Sequence, residues 1–183
     1  MHDIVKPRIL IMAGGTGGHV FPGLAVALEL RELGVEVSWL GTKKGIESEL
    51  IPTHNIPIEF LNVEGVRGRG LVALIKAPFL LWQSVRQAVT IINQIKPAAV
   101  LGMGGFGSGP GALAAWLKGI PIIIHEQNAV AGTTNRIISY FARSILEGFP
   151  GTIKGAHWSG NPIRKEILGI KEPGLRFQGR QGS

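Results

Sequence analysis

The sequence predicts an α/β fold built on a parallel sheet wrapped by helices, and three observations carry that prediction. Apolar runs recur at residues 8–12, 35–40, 58–63, 98–101, 120–125 and 144–146, with helix-like segments between most of them. These runs are continuous rather than alternating, as expected of strands buried on both faces. Every conspicuous motif follows one of them, and open α/β sheets take their ligands at the carboxyl ends of strands.

Composition narrows the function. With 183 residues, 45% of them hydrophobic, and 27 glycines, the chain can bury a sizeable core joined by tight turns. Cysteine is absent, which excludes disulfides, thiolate metal sites and a cysteine nucleophile, and makes the cytosol the default compartment. Residues 1–7 lack the apolar core of a secretory signal, and no stretch reaches the roughly 18 apolar residues of a membrane span. The net charge of +7 points to phosphorylated small molecules, an anionic membrane surface or nucleic acid. A single tyrosine and the lack of a basic, base-reading helix disfavour specific nucleic-acid recognition. Asp3 is the only aspartate and no two acidic residues share a strand end, so no metal is expected.

The first strand runs into Ala13-Gly14-Gly15-Thr16-Gly17-Gly18-His19, followed by a helix-like stretch over 20–33. Glycines let the backbone reach φ > 0 and lie against a ligand, while the first helical amides point at an approaching anion or hydroxyl. The turn is not a dinucleotide fingerprint: the third glycine position is Val20, and no acidic residue closes the second strand at Leu40-Gly41-Thr42-Lys43. Nor is it a P-loop, because His19 stands where lysine would. At the positive end of the helix dipole the neutral imidazole of His19 is favoured, and one ring nitrogen could accept a proton.

The stretch 67–86 opens with Arg67-Gly68-Arg69-Gly70 and continues as a helical stripe through Leu71, Leu74, Ile75, Pro78, Phe79, Trp82 and Val85, with Lys76 and Arg86 nearby. Such a stripe suits either a core face or docking in the headgroup region of an anionic membrane. A second glycine turn follows the fourth run, placing six glycines within 101–111, with Pro110 suited to a first helical turn. Its amides could trap a phosphate, and the two turns are expected to face one cleft. The fifth run ends in His125-Glu126-Gln127-Asn128, before Gly132-Thr133-Thr134-Asn135-Arg136 opens another helix. Mixed donors and acceptors suit a polyhydroxylated ligand such as a sugar, although capping also accounts for part of the cluster. Gly160-Asn161-Pro162-Ile163-Arg164 ends the last strand-like piece and offers a guanidinium to phosphate or carboxylate. The glycine-rich tail reads as a linker.

In this order, 13–19 with Val20-Phe21-Pro22-Gly23, 102–110, His125-Glu126-Gln127-Asn128 and Gly160-Asn161-Pro162-Ile163-Arg164 resemble the MurG family, over residues 8 to about 167. That family transfers GlcNAc from UDP-GlcNAc to lipid I, undecaprenyl-pyrophosphoryl-MurNAc-pentapeptide, to make lipid II in peptidoglycan synthesis. The resemblance implies GT-B architecture, with a Rossmann-like acceptor-side domain at 1–168, a linker at 169–183, and no donor domain within this chain. It implies donor contacts at Thr16, Gly17, Gly18, Asn128 and Arg164, and acceptor contacts at Gly15, Gly104, Gly105, His125, Glu126 and Asn135. His19 becomes the candidate general base for the acceptor 4-hydroxyl. Phe106 stands where the family pattern often has tyrosine, so any role of that hydroxyl does not carry over.

A membrane patch is implied at Leu71, Leu74, Ile75, Lys76, Phe79, Trp82, Arg86 and Trp116. The implied setting is peripheral, at the cytoplasmic face of the bacterial inner membrane, with cell-wall synthesis proteins as partners and no cofactor. Two rival expectations are a non-catalytic membrane-anchoring subunit of a split GlcNAc transferase and half of a nucleotide-sugar epimerase.

Overall fold

The computed structural model describes residues 6–62 and 71–163, the latter without the side chains of 71–76. A seven-stranded, wholly parallel sheet has the order β3-β2-β1-β4-β5-β6-β7. Its strands are β1 (Arg8–Ala13), β2 (Glu36–Thr42), β3 (Ile58–Leu61), β4 (Ala99–Gly104), β5 (Ile122–Glu126), β6 (Ser144–Glu147) and β7 (His157–Trp158). The crossover helices are α1 (Gly17–Glu32), α2 (Glu47–Thr53), α3 (Leu71–Ile95), α4 (Ser108–Leu117) and α5 (Thr133–Ile138). The predicted fold class, a Rossmann-like parallel sheet with helices on both faces, is the one observed.

Two cores explain the layering. On one face Ile11, Val20, Leu24, Val37, Trp39, Ile51 and Met103 pack under α1 and α2. On the other, Leu10, Met12, Leu40, Ala88, Ile92, Val100, Ala115 and Ile124 pack under α3, α4 and α5. Consecutive residues of β1 feed opposite cores, so both faces must be apolar, and the run reads as continuous rather than alternating. Gly111 lets α4 sit tightly on the sheet, since a Cβ there would lie 2.9 Å from Leu40 Cδ2.

Several boundaries differ from expectation. Helix α1 starts at Gly17 rather than Val20, taking Gly17, Gly18 and His19 into its first turn. Strand β5 starts at Ile122, because Pro121 has no N–H for the ladder, although its carbonyl accepts from Val100 N–H at 3.0 Å. The predicted third strand ends at Leu61, with Val63 outside the described residues. A seventh strand, β7, has no counterpart among the predicted runs; its two residues are exposed at the sheet edge. The side chains of Leu71, Leu74, Ile75 and Lys76, the residue Arg164, and the expected linker at 169–183 also lie outside the described residues. Among the described residues no helix is long and apolar enough to cross a membrane.

Candidate active site

Strand order reverses between β1 and β4, which lie side by side at the centre of the sheet. Both glycine turns hang from this point, where α/β sheets open a crevice. The register slips between Met12 and Ala13, so that Ala13 pairs with Gly104 while Met12 pairs with Gly102. This irregularity sets Gly104, at the end of β4, opposite Ala13 at the root of the first turn. There Gly105, at φ +91°, packs so closely that a Cβ would overlap the Gly14 carbonyl oxygen. The two turns are thus in atomic contact along one surface. Phe106, 74% exposed, projects beside them without a hydroxyl.

Helix α1 begins at this surface. Thr16 precedes it in extended conformation and makes no side-chain cap, so its hydroxyl is not spent on the first-turn amides of Gly17 and Gly18. His19 lies flat against the second turn: a Cβ on Gly104, at φ +112°, would stand 2.7 Å from its Cε1. Gly104 therefore makes the room the imidazole occupies. Nδ1 of His19 lies 2.9 Å from Gln127 Oε1, joining α1 to the residue that follows β5.

Strand alternation divides the cluster at the end of β5. His125 and Gln127 turn toward the α1 side: His125 Nε2 lies 2.9 Å from the Gly160 carbonyl, and Gln127 Nε2 lies 3.2 Å from His125 Nδ1. Glu126 turns the other way and is fully buried. Its Oε1 accepts from Asn128 N–H and Nδ2, both at 3.0 Å, and its Oε2 from Gly132 N–H at 3.1 Å and Asn135 Nδ2 at 3.0 Å. With four bonds this carboxylate ties β5 to α5 and has no face toward the glycine turns. Asn135, also buried, donates to the His125 carbonyl at 3.2 Å as well, and its Oδ1 finds no partner among the described residues. Asn161 closes the far side by donating to the Gln127 carbonyl at 3.1 Å.

Glu47 gives no sign of itself in the sequence. The second strand ends without an acid, yet this residue from the start of α2 folds back under the first turn and is fully buried. One carboxylate oxygen accepts from Thr42 N–H and Oγ1, both at 2.8 Å, and the other from Gly15 N–H at 3.0 Å. The Gly15 amide, expected to face an acceptor, is thereby turned inward. Gly14 and Gly41 leave space for this carboxylate, since a Cβ would sit 2.5 Å and 2.6 Å respectively from its atoms.

Burial pushes the His125 imidazole below its ordinary pKa, partly offset by the Gly160 carbonyl and the Glu126 charge. Backbone N–H groups of Ile153, Gly151 and Thr152 hold the Glu147 carboxyl below its usual range, against burial. Both depressed groups bind protons more readily when unfolded, so each contributes stability at neutral pH that is lost on acidification. The His125 part fades as pH drops below 6.5, the Glu147 part below 4.5. The urea midpoint is therefore expected to fall between about pH 7 and about pH 5, more steeply than in His125→Gln. A midpoint flat over that interval in the unsubstituted chain contradicts the burial of a neutral imidazole.

A cavity of about 550 Å³ lined by Lys6, Arg8, Arg31 and Glu36 lies at the opposite, amino ends of β1 and β2, remote from this chemistry. Of the expected membrane patch, Phe79 (64% exposed) and Trp82 (53% exposed) stack at 6.1 Å between centroids, with the Arg86 guanidinium 5.3 Å from the Trp82 ring centre. Trp116, half exposed on the adjoining α4, leans on Phe141. Val85, counted in the same stripe, is buried in the core.

A parallel sheet with order 3-2-1-4-5-6-7 and two apposed glycine turns at its switch point is a Rossmann-like domain. Residues 9–147 match the glycosyltransferase family 28 N-terminal domain, and the chain belongs to that family. A relative from Serratia proteamaculans, named UDP-N-acetylglucosamine--N-acetylmuramyl-(pentapeptide) pyrophosphoryl-undecaprenol N-acetylglucosamine transferase, is 51% identical over 178 residues, or 97% of this chain and 50% of its own length. A protein of the same name from Vibrio vulnificus is 50% identical over 96% of this chain and 50% of its own. The chain thus spans about half the length of these curated relatives. The crystal structure of Acinetobacter baumannii MurG superposes with a TM-score of 0.77 at 45% identity, covering 86% of this chain and 46% of that one. The resemblance to MurG read from the sequence is borne out. A UDP-GlcNAc 2-epimerase from Neisseria meningitidis, at 16% identity and a TM-score of 0.60, covers 79% of this chain and 41% of that one and shares the fold.

Proposed function

We propose that this chain is the acceptor-side half of an inverting transferase that moves GlcNAc from UDP-GlcNAc to lipid I, giving lipid II. The observation that carries the reading is the imidazole of His19 laid against Gly104 where the two glycine turns meet. Attack on an anomeric carbon needs the acceptor hydroxyl deprotonated as it moves, and a neutral imidazole at the rim of an amide-rich surface can take that proton. In this reading Gly104 and Gly105 face the acceptor, while Gly15, His125, Glu126 and Asn135 support the surface from behind. Thr16, Gly17, Gly18 and Asn128 face the donor; Arg164, proposed for the same role, lies outside the described residues. The 45–51% identity to transferases, against 16% to an epimerase, favours transfer over epimerisation.

The test is a fusion of this chain to the C-terminal half of the Serratia proteamaculans relative. His19→Ala is expected to lower kcat by about 10²–10⁴-fold, the usual worth of general-base assistance. Near-normal turnover sinks the assignment and favours the anchoring-subunit reading. The 183-residue chain by itself is expected to form no lipid II; measurable product from it overturns the half-enzyme reading.

The exposed Phe79–Trp82–Arg86 group, continued by Trp116, is proposed to dock on the anionic cytoplasmic face of the cell membrane. Sedimentation with phosphatidylglycerol-containing vesicles is expected to capture the chain at low salt and to fail for Phe79→Ala/Trp82→Ala. Equal capture of both proteins excludes this patch.

A further inference from the structure

We infer that Gln127 is a positioning residue that sets the tautomer of His19, holding the proton on Nδ1 and leaving the Nε2 lone pair as the base. The inference rests on the transferase reading for its catalytic consequence, but its structural part follows from the hydrogen bonds alone. Carbonyl oxygens can only accept, and two of them anchor the chain of contacts. The Gly160 carbonyl lies 2.9 Å from His125 Nε2, so that nitrogen carries the proton and Nδ1 of a neutral His125 is an acceptor. The His125 carbonyl lies 2.9 Å from one terminal atom of the Gln127 amide, which must therefore be the NH₂. That same NH₂ lies 3.2 Å from His125 Nδ1 and faces Met103 Sδ at 3.9 Å, all acceptors. The other terminal atom is then Oε1, and it stands 2.9 Å from His19 Nδ1. An amide oxygen only accepts, so His19 Nδ1 must donate.

Proton polarity thus runs one way, from two backbone carbonyls through His125 and Gln127 to His19. Gln127 is buried, at 6% exposure, and these contacts fix which way its amide faces. The titratable groups packed around it are His19 from α1 and His125 from β5. The Glu126 carboxylate points away, into its own four bonds. Burial that favours neutral His125 supports the same polarity, because a protonated Nδ1 would confront the Gln127 NH₂. A carboxylate partner would bind the imidazolium; an amide fixes the tautomer without adding charge.

Two-bond ¹H–¹⁵N NMR of the ¹⁵N-histidine-labelled chain tests this directly. Unsubstituted protein is expected to show His19 protonated on Nδ1 and His125 on Nε2. Gln127→Met, which fills the space without an acceptor, is expected to move the His19 proton to Nε2, and Gln127→Glu, whose carboxylate oxygen also accepts, to keep a proton on Nδ1, with a second on Nε2 where the imidazolium forms. In the fused two-domain protein Gln127→Met is expected to lower kcat about 10²-fold with KM little changed. A His19 proton on Nε2 in the unsubstituted chain, or an unmoved proton in Gln127→Met, overturns the inference. Should the methionine variant fold poorly, a His19 Nδ1 without its proton in Gln127→Glu overturns it equally. A moved proton with unchanged kcat overturns its catalytic consequence. An unsubstituted fusion without transferase activity refutes the transferase reading while the tautomer remains readable, so the two failures are distinguishable.

Discussion

Replacing Glu47 by alanine is expected to cost the fold about 4 kcal/mol, because it strands donors at three contacts in a fully buried place, each worth about 1–3 kcal/mol when left unmet. Water entering the void recovers part of that, since the hole is polar and has several partners to offer. Glu47→Gln is expected to lose less: it keeps one acceptor oxygen but turns an NH₂ toward a donor. The damage should not stop at stability. Glu47 holds the Gly15 amide inward at 3.0 Å, so its loss frees the first glycine turn that His19 follows. Urea unfolding with parallel binding of UDP-GlcNAc or a lipid I analogue to the fused protein checks both halves. A wild-type midpoint in Glu47→Ala refutes the latch.

Gly105→Ala is the second large effect expected. Residues other than glycine rarely adopt φ +91°, and holding alanine there costs about 1–3 kcal/mol before any contact is considered. Its methyl would also overlap the Gly14 carbonyl oxygen, a backbone atom that cannot swing aside as a flexible side chain does. Relief requires the turns to separate, which widens the surface on which the acceptor is proposed to sit. The expectation is a loss of about 3 kcal/mol or more with transfer in the fused protein abolished. Gly109→Ala is the control: in α4 its methyl meets Thr134 Cγ2 at an ordinary 3.6 Å and needs no positive φ, so a smaller loss is expected there even though Pro110 follows. Equal stability of Gly105→Ala and Gly109→Ala contradicts the contact between the turns.

What the sequence discloses and conceals follows from where each interaction is encoded. Strand β1 is legible because both of its faces are buried, leaving no polar residue to interrupt Ile9-Leu10-Ile11-Met12. The paired turns are legible because their glycines are local. Strand β7 is not, since His157 and Trp158 are exposed and pair only through β6; no apolar pattern marks them. Glu47 is hidden for a related reason. No acid stands at the end of β2 through Lys43, and the carboxylate arrives there by tertiary folding from α2. In His125-Glu126-Gln127-Asn128 the polar character is plain, but the division of labour is not. Alternation sends Glu126 to α5 and Gln127 to α1, and composition weighs all four residues alike.

The position of β1 and β4 at the centre of the sheet has a consequence for endurance. Fraying of a sheet begins at its rims, here the short β3 and the two-residue β7, where ladders lack a neighbour on one side. Both glycine turns are rooted instead in the two strands that part only when the whole domain opens. Breathing of the periphery is therefore expected to leave the two apposed turns in register.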